Sequence, residues 1–190
     1  MFEKIIQLDR ELLVYLNNLG STPFDFFWVF ATSQKNWTLF FLLILILVYL
    51  KKGLKNTLLI LLFVSLLILT GDQIVNLVKN SVQRLRPCND LDLKNSIRIL
   101  HNTPTFSYFS GHATNSMSTM LFIFLIMKRH FKYLFIIFLW PLIFAYSRIY
   151  VGVHFPLDIL SGYLFGATLG LVFYKIYQLV LDKYFPNFIV

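Results

Sequence analysis

Residues 37–71 read WTLFFLLILILVYLKKGLKNTLLILLFVSLLILTG, and this stretch decides the fold class. It holds two apolar runs that are separated by the short basic segment 51–53. A helix needs about 20 apolar residues to cross a hydrocarbon layer about 30 Å thick, so the first run, over 37–50, must borrow length from its flanks. The second run keeps a helical periodicity from about 55 to 84. We therefore predict two consecutive membrane-crossing helices.

Three further apolar runs complete the predicted bundle. They follow a polar segment over 89–109 that contains Pro104 and is predicted to be a loop. The later spans are predicted at His112–Met127, at Tyr133–Ser147 with a kink at Pro141, and at Pro156–Leu181. The predicted fold class is all-α. We expect a single membrane-embedded domain over 1–190, a polytopic bundle of five to six transmembrane helices with an N-terminal amphipathic helix.

The composition of the whole chain agrees with a membrane protein. Of its 190 residues 57% are hydrophobic and 14% charged, and the mean hydropathy is +0.68. Soluble domains have about 45–50% apolar and about 25% charged residues. The net charge of +8 alone would suggest nucleic-acid binding, but Lys and Arg form small clusters between apolar runs, as membrane proteins place them. The composition therefore favours a lipid bilayer as partner, and argues against nucleic acid, a soluble domain and a disordered chain.

The N-terminal segment, 1–34, is predicted to form helices at the membrane interface. Charged residues interrupt its apolar positions before the h-region of a cleavable signal peptide could form; they are Glu3, Lys4, Asp9, Arg10 and Glu11. The apolar spacing over 5–16 instead predicts an amphipathic helix that lies in the interface. A second short helix is predicted over 24–32, after Pro23. A short buried helix is an equally good interpretation.

Basic residues predict the orientation of the bundle. One predicted end carries a group of Lys and Arg, namely Lys51, Lys52, Lys55, Lys128, Arg129, Lys132 and Lys183. Such residues in short loops favour the cytoplasm. We therefore expect the opposite end, with the 89–109 loop, to be extracytoplasmic in a cell (inner) membrane. The distribution of basic residues is not uniform, because Lys35, Lys94 and Arg98 lie on the predicted outer side. The charged residues of the 89–109 loop, Arg98 among them, are expected to be solvated.

The second predicted span carries a stripe of polar residues on one helix face. Its members recur at intervals of four, three, four and three residues: Asp72, Asn76, Lys79, Gln83 and Arg86. A lone charge facing lipid at this depth costs several kcal/mol. We expect Asp72 to be structural, with a hydrogen bond to Asn76. With Asp72 assigned a structural role, Lys79 and Arg86 face nothing acidic on their own helix, so they either join an intramembrane ion pair or bind an anionic ligand.

The third predicted span begins with Ser110-Gly111-His112. Ser110 is a typical N-cap residue, and Gly111 lets a ligand approach the backbone closely. Free N–H groups and a partial positive charge make a helix N-terminus an anion site. His112 lies in this first turn, where a lone His is more often a surface residue than a catalyst.

The segment 147–158, SRIYVGVHFPLD, carries the most specific local pattern. His154 and Asp158 share a face if the helix already includes His154, although Pro156 disfavours helical geometry at the preceding residue. A carboxylate on one imidazole nitrogen fixes the tautomer and leaves the other nitrogen a better nucleophile or base. A salt-bridged pair at the membrane surface is the alternative interpretation. Three glycines beyond this segment predict close helix packing: Gly162, Gly166 and Gly170.

These residues are predicted to gather at one end of the bundle, where they could converge on a tetrahedral dianion. Cations such as Lys79, Arg86 and Arg148 would offset the charge that protects a phosphate ester from nucleophiles. One His would attack phosphorus while the other protonates the leaving oxygen. We expect no metal and no other cofactor, because the chain has no carboxylate cluster to hold a metal and its single cysteine, Cys88, excludes a multi-thiolate site.

At these positions the chain resembles the type 2 phosphatidic acid phosphatase (lipid phosphate phosphatase) superfamily of integral membrane enzymes. The motifs of that family read Lys-x6-Arg-Pro, Pro-Ser-Gly-His and Ser-Arg-x5-His-x3-Asp. They match Lys79 through Arg86-Pro87, then Ser110-Gly111-His112, then Ser147-Arg148 with His154 and Asp158. Phe109 stands where the family usually has Pro, which puts the edge of the substrate pocket in question.

The resemblance implies a role for each residue of the motifs. His154 would be the nucleophile that forms a phosphohistidine, Asp158 would orient and activate it, and His112 would be the general acid for the leaving group. The phosphoryl oxygens would be held by Lys79, Arg86, Ser110, Gly111 and Arg148.

The expected substrate is a lipid phosphate or diphosphate. A polyprenyl diphosphate such as undecaprenyl diphosphate is favoured, because a small enzyme with little mass outside the membrane suits a lipid that enters laterally. Lipid A and phosphatidylglycerophosphate are alternatives, since the motifs read the phosphoryl group and not the tail. A non-catalytic lipid transporter or scramblase is a competing class, and a vanadate-dependent haloperoxidase is a third. The sequence leaves the oligomeric state open.

Overall fold

A computed structural model describes residues 2–184, and within them the chain is all-α with no strand. The six α-helices are α1 (Phe2–Asn18), α2 (Thr22–Thr32), α3 (Thr38–Val82), α4 (Gly111–Met127), α5 (Leu139–Tyr150) and α6 (Pro156–Tyr184). Short 3-10 helices lie at Gln34–Trp37, Pro87–Asn89 and Leu134–Phe138. The all-α class predicted from the hydropathy pattern is confirmed.

Helix α3 reverses direction at Gly53. The residue has φ 72° and ψ 171°, a conformation essentially restricted to glycine. A straight helix would place Phe41 and Lys79 roughly 57 Å apart at 1.5 Å per residue. Both residues nevertheless line the same cavity. The halves 38–52 and 54–82 therefore run back along each other, as the two predicted spans require.

Long apolar helices dominate the molecule. The stretch Gln34–Asn89, which contains α3, and helix α6 are each long and apolar enough to cross a membrane, and Leu134–Tyr150 is a shorter apolar segment. Large aliphatic side chains point away from the protein along α3; Leu39 is 79% and Leu77 67% exposed. Exposed apolar faces of this extent are typical of surfaces that contact lipid.

Helices α4 and α6 pack with their backbones in close approach. A Cβ atom at Gly162 would lie 2.7 Å from the Ser110 carbonyl oxygen, and one at Gly170 would lie 2.8 Å from the Ser118 carbonyl oxygen. The close packing predicted for the glycine stripe is confirmed. It brings the start of α4 against the first turn of α6, where the Ser110 N–H donates to the Asp158 carbonyl oxygen at 3.0 Å.

Two predicted details of the helices differ from the structure. The predicted span 133–147 changes from a 3-10 helix to α5 at Leu139, and Pro141 is the third residue of α5, where a backbone N–H has no acceptor within the helix. Helix α3 ends at Val82 and not near Arg84. Its C-cap, Gln83, has a left-handed φ of 51°, and this conformation turns the chain out of the helix.

Helix α1 has a polar face against the protein and an apolar face away from it. Its buried positions recur every four residues and are Asp9, Leu13 and Asn17. Its exposed apolar positions recur every three or four residues and are Ile5, Leu8, Leu12 and Tyr15. The outward stripe suits a helix that lies in an interface. The buried face, which the sequence did not predict, ties this helix to the rest of the protein.

The 89–109 loop is fixed to the N-terminal helices. The Asn17 side chain accepts from the Arg98 N–H at 2.7 Å and donates to the Ile149 and Tyr150 carbonyl oxygens at 3.0 and 2.9 Å. The Arg98 guanidinium donates to Asp25 at 2.7 Å. The expectation that Arg98 is solvated is wrong.

The basic residues at the Gly53 turn meet those that follow α4. The Lys51 Nζ lies 5.7 Å from the ring centroid of Phe131. Partial burial, and then the charges of Lys52 and Lys51, lower the pKa of His130. The basic cluster at 51–55 and the one at 128–132 therefore lie at the same end of the bundle, as predicted.

Gly166→Ala is expected to lower the free energy of unfolding by about 1–3 kcal/mol, the usual cost of overpacking a tight contact. The added methyl group would press on the backbone of α4, whose Thr114 Cα lies 3.0 Å from the position of such a Cβ. The thermal midpoint in detergent measures the effect. Thr168→Val, on the exposed side of α6, is the control. A Gly166→Ala variant as stable as the parent chain would contradict this view of the contact.

Candidate active site

One cavity of about 610 Å³ lies between the two halves of α3, α4 and α5. The residues that line it are charged or polar at one end and mainly apolar elsewhere. At one end lie Lys79, Arg86, Gly111, His112, Arg148 and His154, and the remainder is mainly apolar, with Phe41, Ile44, Val48, Ile60, Val64 and Met120. Six of the eight site residues predicted from sequence therefore share one wall. The other two, Ser110 and Asp158, lie behind it.

His154 lies between α5 and α6 and is only 1% exposed. Its Nδ1 is 3.2 Å from Asp158 Oδ2, and its Nε2 is 3.0 Å from Arg86 Nη1. A guanidinium can only donate, so we assign Nε2 as the unprotonated nitrogen and Nδ1 as the one that donates to Asp158. The lone pair of the imidazole is thus held on the nitrogen nearest the cations.

Asp158 reaches His154 from the first turn of α6. Because the helix begins at Pro156, the condition that the helix includes His154 is not met. The pair forms in a different way. The carboxylate turns back to the residues before the helix, where Oδ2 also accepts from the Phe155 N–H at 2.9 Å, as the third residue of a capping box does.

Arg86 is held by the loop and not by the predicted helix stripe. Its Nε donates to the Thr105 carbonyl oxygen at 2.8 Å, and its Nη2 donates to the Thr105 hydroxyl at 2.9 Å. Its Nη1 donates to the Val153 carbonyl oxygen at 3.0 Å as well as to His154. These bonds fix the plane of the guanidinium beside the imidazole.

Lys79 and Arg148 supply positive charge that the protein leaves unneutralised. Within residues 2–184, neither has a carboxylate within the 4.0 Å of a salt bridge. Arg148 is 7% exposed, and its Nη1 donates to the Thr32 hydroxyl at 2.6 Å. Its Nε is buried with no acceptor. An unpaired buried guanidinium donor is costly, and an anion in the cavity can supply the acceptor that it lacks.

The start of α4 forms the opposite side of the wall. Ser110 is the N-cap as predicted, and its hydroxyl accepts from the Ala113 N–H at 3.4 Å. It is fully buried and does not line the cavity, because the helix uses its hydroxyl as the cap. Gly111 and His112 do line the cavity. The His112 ring stacks on Phe144 with 4.8 Å between centroids, and this contact fixes its orientation.

Three other predicted details differ from the structure. Asp72 accepts from the side chain of Asn115 on α4 at 2.7 Å, and no bond to Asn76 forms. Gln83 ends α3 and does not line the cavity, which breaks the predicted five-residue stripe. Phe109 packs against Phe165 with 5.1 Å between centroids and is also absent from the wall.

Two charged residues near the site were not predicted. Arg84 Nη1 donates to Asp158 Oδ1 at 2.8 Å, and its Nη2 donates to Asp9 Oδ2 at 2.7 Å. Arg84 lies inside the Lys-x6-Arg motif, but it is not on the predicted polar helix face that contains Lys79 and Arg86. Asp9 interrupts an apolar helix, and that interruption was the one available signal of its buried position.

The electrostatics of the wall suit attack on a phosphate ester. Burial, and then the charge of Arg86, lower the pKa of His154 well below 6.5. The imidazole is therefore neutral at pH 7 and its Nε2 can act as a nucleophile. Around it, Lys79, Arg86 and Arg148 can bind phosphoryl oxygens. Within residues 2–184, no three His, Cys, Asp or Glu side chains are grouped so that they could hold a metal ion.

Known proteins with similar sequences hydrolyse lipid phosphates. The lipid A 4′-phosphatase of Porphyromonas gingivalis is 30% identical over 178 residues, which cover 92% of this chain and 75% of that protein. The lipid A 4′-phosphatase of Bacteroides thetaiotaomicron is 28% identical over 93% of this chain and 80% of that protein. The undecaprenyl-diphosphatase of Sulfolobus acidocaldarius is 36% identical over 48% of this chain and 43% of that protein.

Two solved structures have the same fold as this chain. A transmembrane PAP2 type phosphatidylglycerolphosphate phosphatase from Bacillus subtilis superposes with a TM-score of 0.71 at 19% identity, covering 95% of this chain and 89% of that one. LpxE of Aquifex aeolicus superposes with a TM-score of 0.64 at 27% identity, covering 87% and 93%. The sequence pattern of the PAP2 superfamily matches residues 54–181. The chain therefore belongs to the PAP2 superfamily and is a phosphoric-ester hydrolase that acts on lipid phosphates.

Proposed function

We propose that this enzyme removes a phosphate monoester from a glycolipid of the lipid A type. The observation that carries the proposal is the wall on which Lys79, Arg86 and Arg148 surround the neutral imidazole of His154 at the mouth of an apolar cavity. The choice of lipid rests on the relatives that match over nine-tenths of the chain, which are lipid A 4′-phosphatases. The polyprenyl diphosphate favoured from sequence has support from a relative that matches about half of the chain.

The proposed reaction begins with attack by His154 on phosphorus. The phosphoryl oxygens take the donors of Lys79 and Arg148, including the Arg148 Nε, which has no acceptor among residues 2–184. Arg86 transfers its Nη1 hydrogen bond from His154 Nε2 to a phosphoryl oxygen, which frees the lone pair. A bond then forms between Nε2 and phosphorus as the bond from phosphorus to the lipid oxygen breaks. Asp158 stabilises the charge that the imidazole gains.

His112 is proposed as the general acid of this step. It lies on the same wall as His154, in the first turn of α4, and in its protonated form it gives a proton to the departing lipid oxygen. In the second step the neutral His112 takes a proton from water while that water attacks phosphorus. The bond between Nε2 and phosphorus breaks, inorganic phosphate leaves, and His112 is again protonated. The N–H of Gly111, at the helix N-terminus, is proposed to stabilise the negative charge of the transferred group.

The apolar part of the cavity is proposed to hold acyl chains. It continues from the cations down to Val48 and Ile60, between the two halves of α3. We propose five crossings, formed by the two halves of α3 and by α4, α5 and α6, with α1 and α2 in the interface. The basic cluster at the Gly53 turn would face the cytoplasm. The active site would then face away from the cytoplasm, across the inner membrane.

His154→Gln is expected to abolish phosphate release, because glutamine has no nucleophilic nitrogen. His101→Gln is the matched control, since His101 is exposed in the loop. The measurement is phosphate release from a lipid A-type monophosphate by detergent-purified protein, with the thermal midpoint as the test of folding. Full activity of the His154→Gln variant would refute the assigned nucleophile. A lipid transporter or scramblase, the competing class, would release no phosphate even with His154 intact.

Asp158→Asn is expected to lower kcat about 10⁴-fold with little change in KM, as loss of a triad carboxylate does elsewhere. An amide can donate to Nδ1, which moves the proton to Nε2 and removes the attacking lone pair. Steady-state kinetics of phosphate release measure the change, and Asp92→Asn, on the surface, is the control. Turnover that survives the Asp158→Asn substitution would show that the carboxylate has no such role.

A panel of lipid substrates tests the proposed specificity. We expect kcat/KM for a lipid A 4′-phosphate to exceed that for undecaprenyl diphosphate and for phosphatidylglycerophosphate by about tenfold or more, the range that pocket contacts can supply. Each is assayed with the same purified protein in the same detergent. A higher kcat/KM for undecaprenyl diphosphate would replace the proposed substrate and leave the assigned mechanism intact.

A further inference from the structure

Four cations surround the His154–Asp158 pair, and one of them differs from the others. Lys79, Arg86 and Arg148 lie on the cavity wall, and among residues 2–184 none has a carboxylate partner. Arg84 is not on the wall and has two carboxylate partners. Its charge is therefore used within the protein and is not available to a substrate.

Arg84 joins the N-terminal helix to the catalytic carboxylate. Its two terminal nitrogens donate in different directions, Nη1 to Asp158 Oδ1 at 2.8 Å and Nη2 to Asp9 Oδ2 at 2.7 Å. The guanidinium also covers the ring of Phe155, whose centroid lies 3.8 Å from Cζ. A planar fork held on three sides has little freedom to move.

Asp9 also holds the first turn of α6. Its Oδ1 accepts from the Leu157 N–H at 2.7 Å, so the carboxylate binds the free end of the helix that carries Asp158. The Asp9 side chain is 5% exposed, which places it in the protein and not at a solvated surface. One carboxylate thus fixes both the backbone of the Asp158 turn and the guanidinium that contacts Asp158.

We infer that Asp9 and Arg84 are positioning residues for the catalytic pair, and that α1 is part of the active site. The contacts run from Asp9 to Arg84, from Arg84 to Asp158 and from Asp158 to the Nδ1 of His154. Arg84 keeps Asp158 ionised and its Oδ2 directed at the imidazole. Asp9 in turn keeps the guanidinium in the orientation that serves Asp158. This inference rests on the proposed roles of His154 and Asp158.

Asp9 lies outside the stretch that matches the family pattern. That stretch is residues 54–181, which includes Arg84 and Asp158 but not α1. An N-terminal interfacial helix that served only to anchor the protein would need no buried acid. The apolar stripe of α1 therefore faces lipid, while the buried Asp9 on the same helix positions the catalytic pair.

Asp9→Asn tests the inference, because the amide can still accept from Leu157 but no longer carries charge. We expect kcat to fall about ten- to hundredfold, as displacement of a catalytic group by about 1 Å does, with KM within about threefold of the parent value. Asp25→Asn is the matched control, since Asp25 also pairs a helix of the N-terminal segment with an arginine, Arg98, but has no contact with Asp158. The control is expected to keep the parent kcat.

A double-mutant cycle separates positioning from a merely structural role. If Asp9 acts through Asp158, Asp9→Asn has little further effect on kcat once Asp158→Asn is present. An equal loss of kcat in both backgrounds, an unchanged kcat in the single variant, or an equal loss in Asp25→Asn would each overturn the inference.

If the Asp9→Asn variant does not fold, the Arg84→Lys variant tests the same inference. Lysine keeps the charge but cannot donate as a fork to two carboxylates, so kcat should fall while KM stays near the parent value. Parent kcat in this variant would overturn the inference. A parent enzyme that releases no phosphate from any lipid phosphate would instead refute the proposed function, so the two failures are distinguishable.

Discussion

The Asp158 carboxylate is fully buried in an apolar helix bundle, and the geometry of the site follows from how that charge is satisfied. Water cannot solvate it, so every lone pair needs a donor from the protein. The Phe155 N–H, the His154 ring and the Arg84 guanidinium supply these donors. The first two donate to Oδ2 and the third donates to Oδ1. As a result, one charge fixes the imidazole, the entry into α6 and the end of the segment that follows α3.

The remaining cations differ from Arg84 in that their hydrogen-bond partners are neutral. Arg86 is held by the Thr105 and Val153 oxygens, and Arg148 by the Thr32 hydroxyl, all of which are neutral. Neutral partners fix the direction of a guanidinium without cancelling its charge. The protein can therefore present positive charge at the end of an apolar cavity, where a low dielectric strengthens its attraction for a phosphoryl group.

Close helix packing makes this site possible. The glycines of α6 let its backbone reach that of α4, so that the N-terminus of α4 and the first turn of α6 share one hydrogen bond, from Ser110 to Asp158. Larger residues would separate His112 from His154. The glycine at 53 acts at the other end, where the reversal of α3 creates a second wall for the cavity. Backbone geometry at a few small residues thus sets the distances between the catalytic groups.

The helical class, the approximate helix positions and the motif residues could be predicted from the sequence, because hydropathy period and residue spacing are local properties. Lys79, Arg148 and His154 were predicted in this way, and the fold brings them to one cavity. The charges that meet across the chain could be identified only from the folded structure: Asp72 bonds to Asn115, and Asp9 contacts Arg84, 75 positions away. Such contacts depend on how α3 packs on α4 and on how α1 packs against the segment that follows α3. No spacing within one helix encodes that packing.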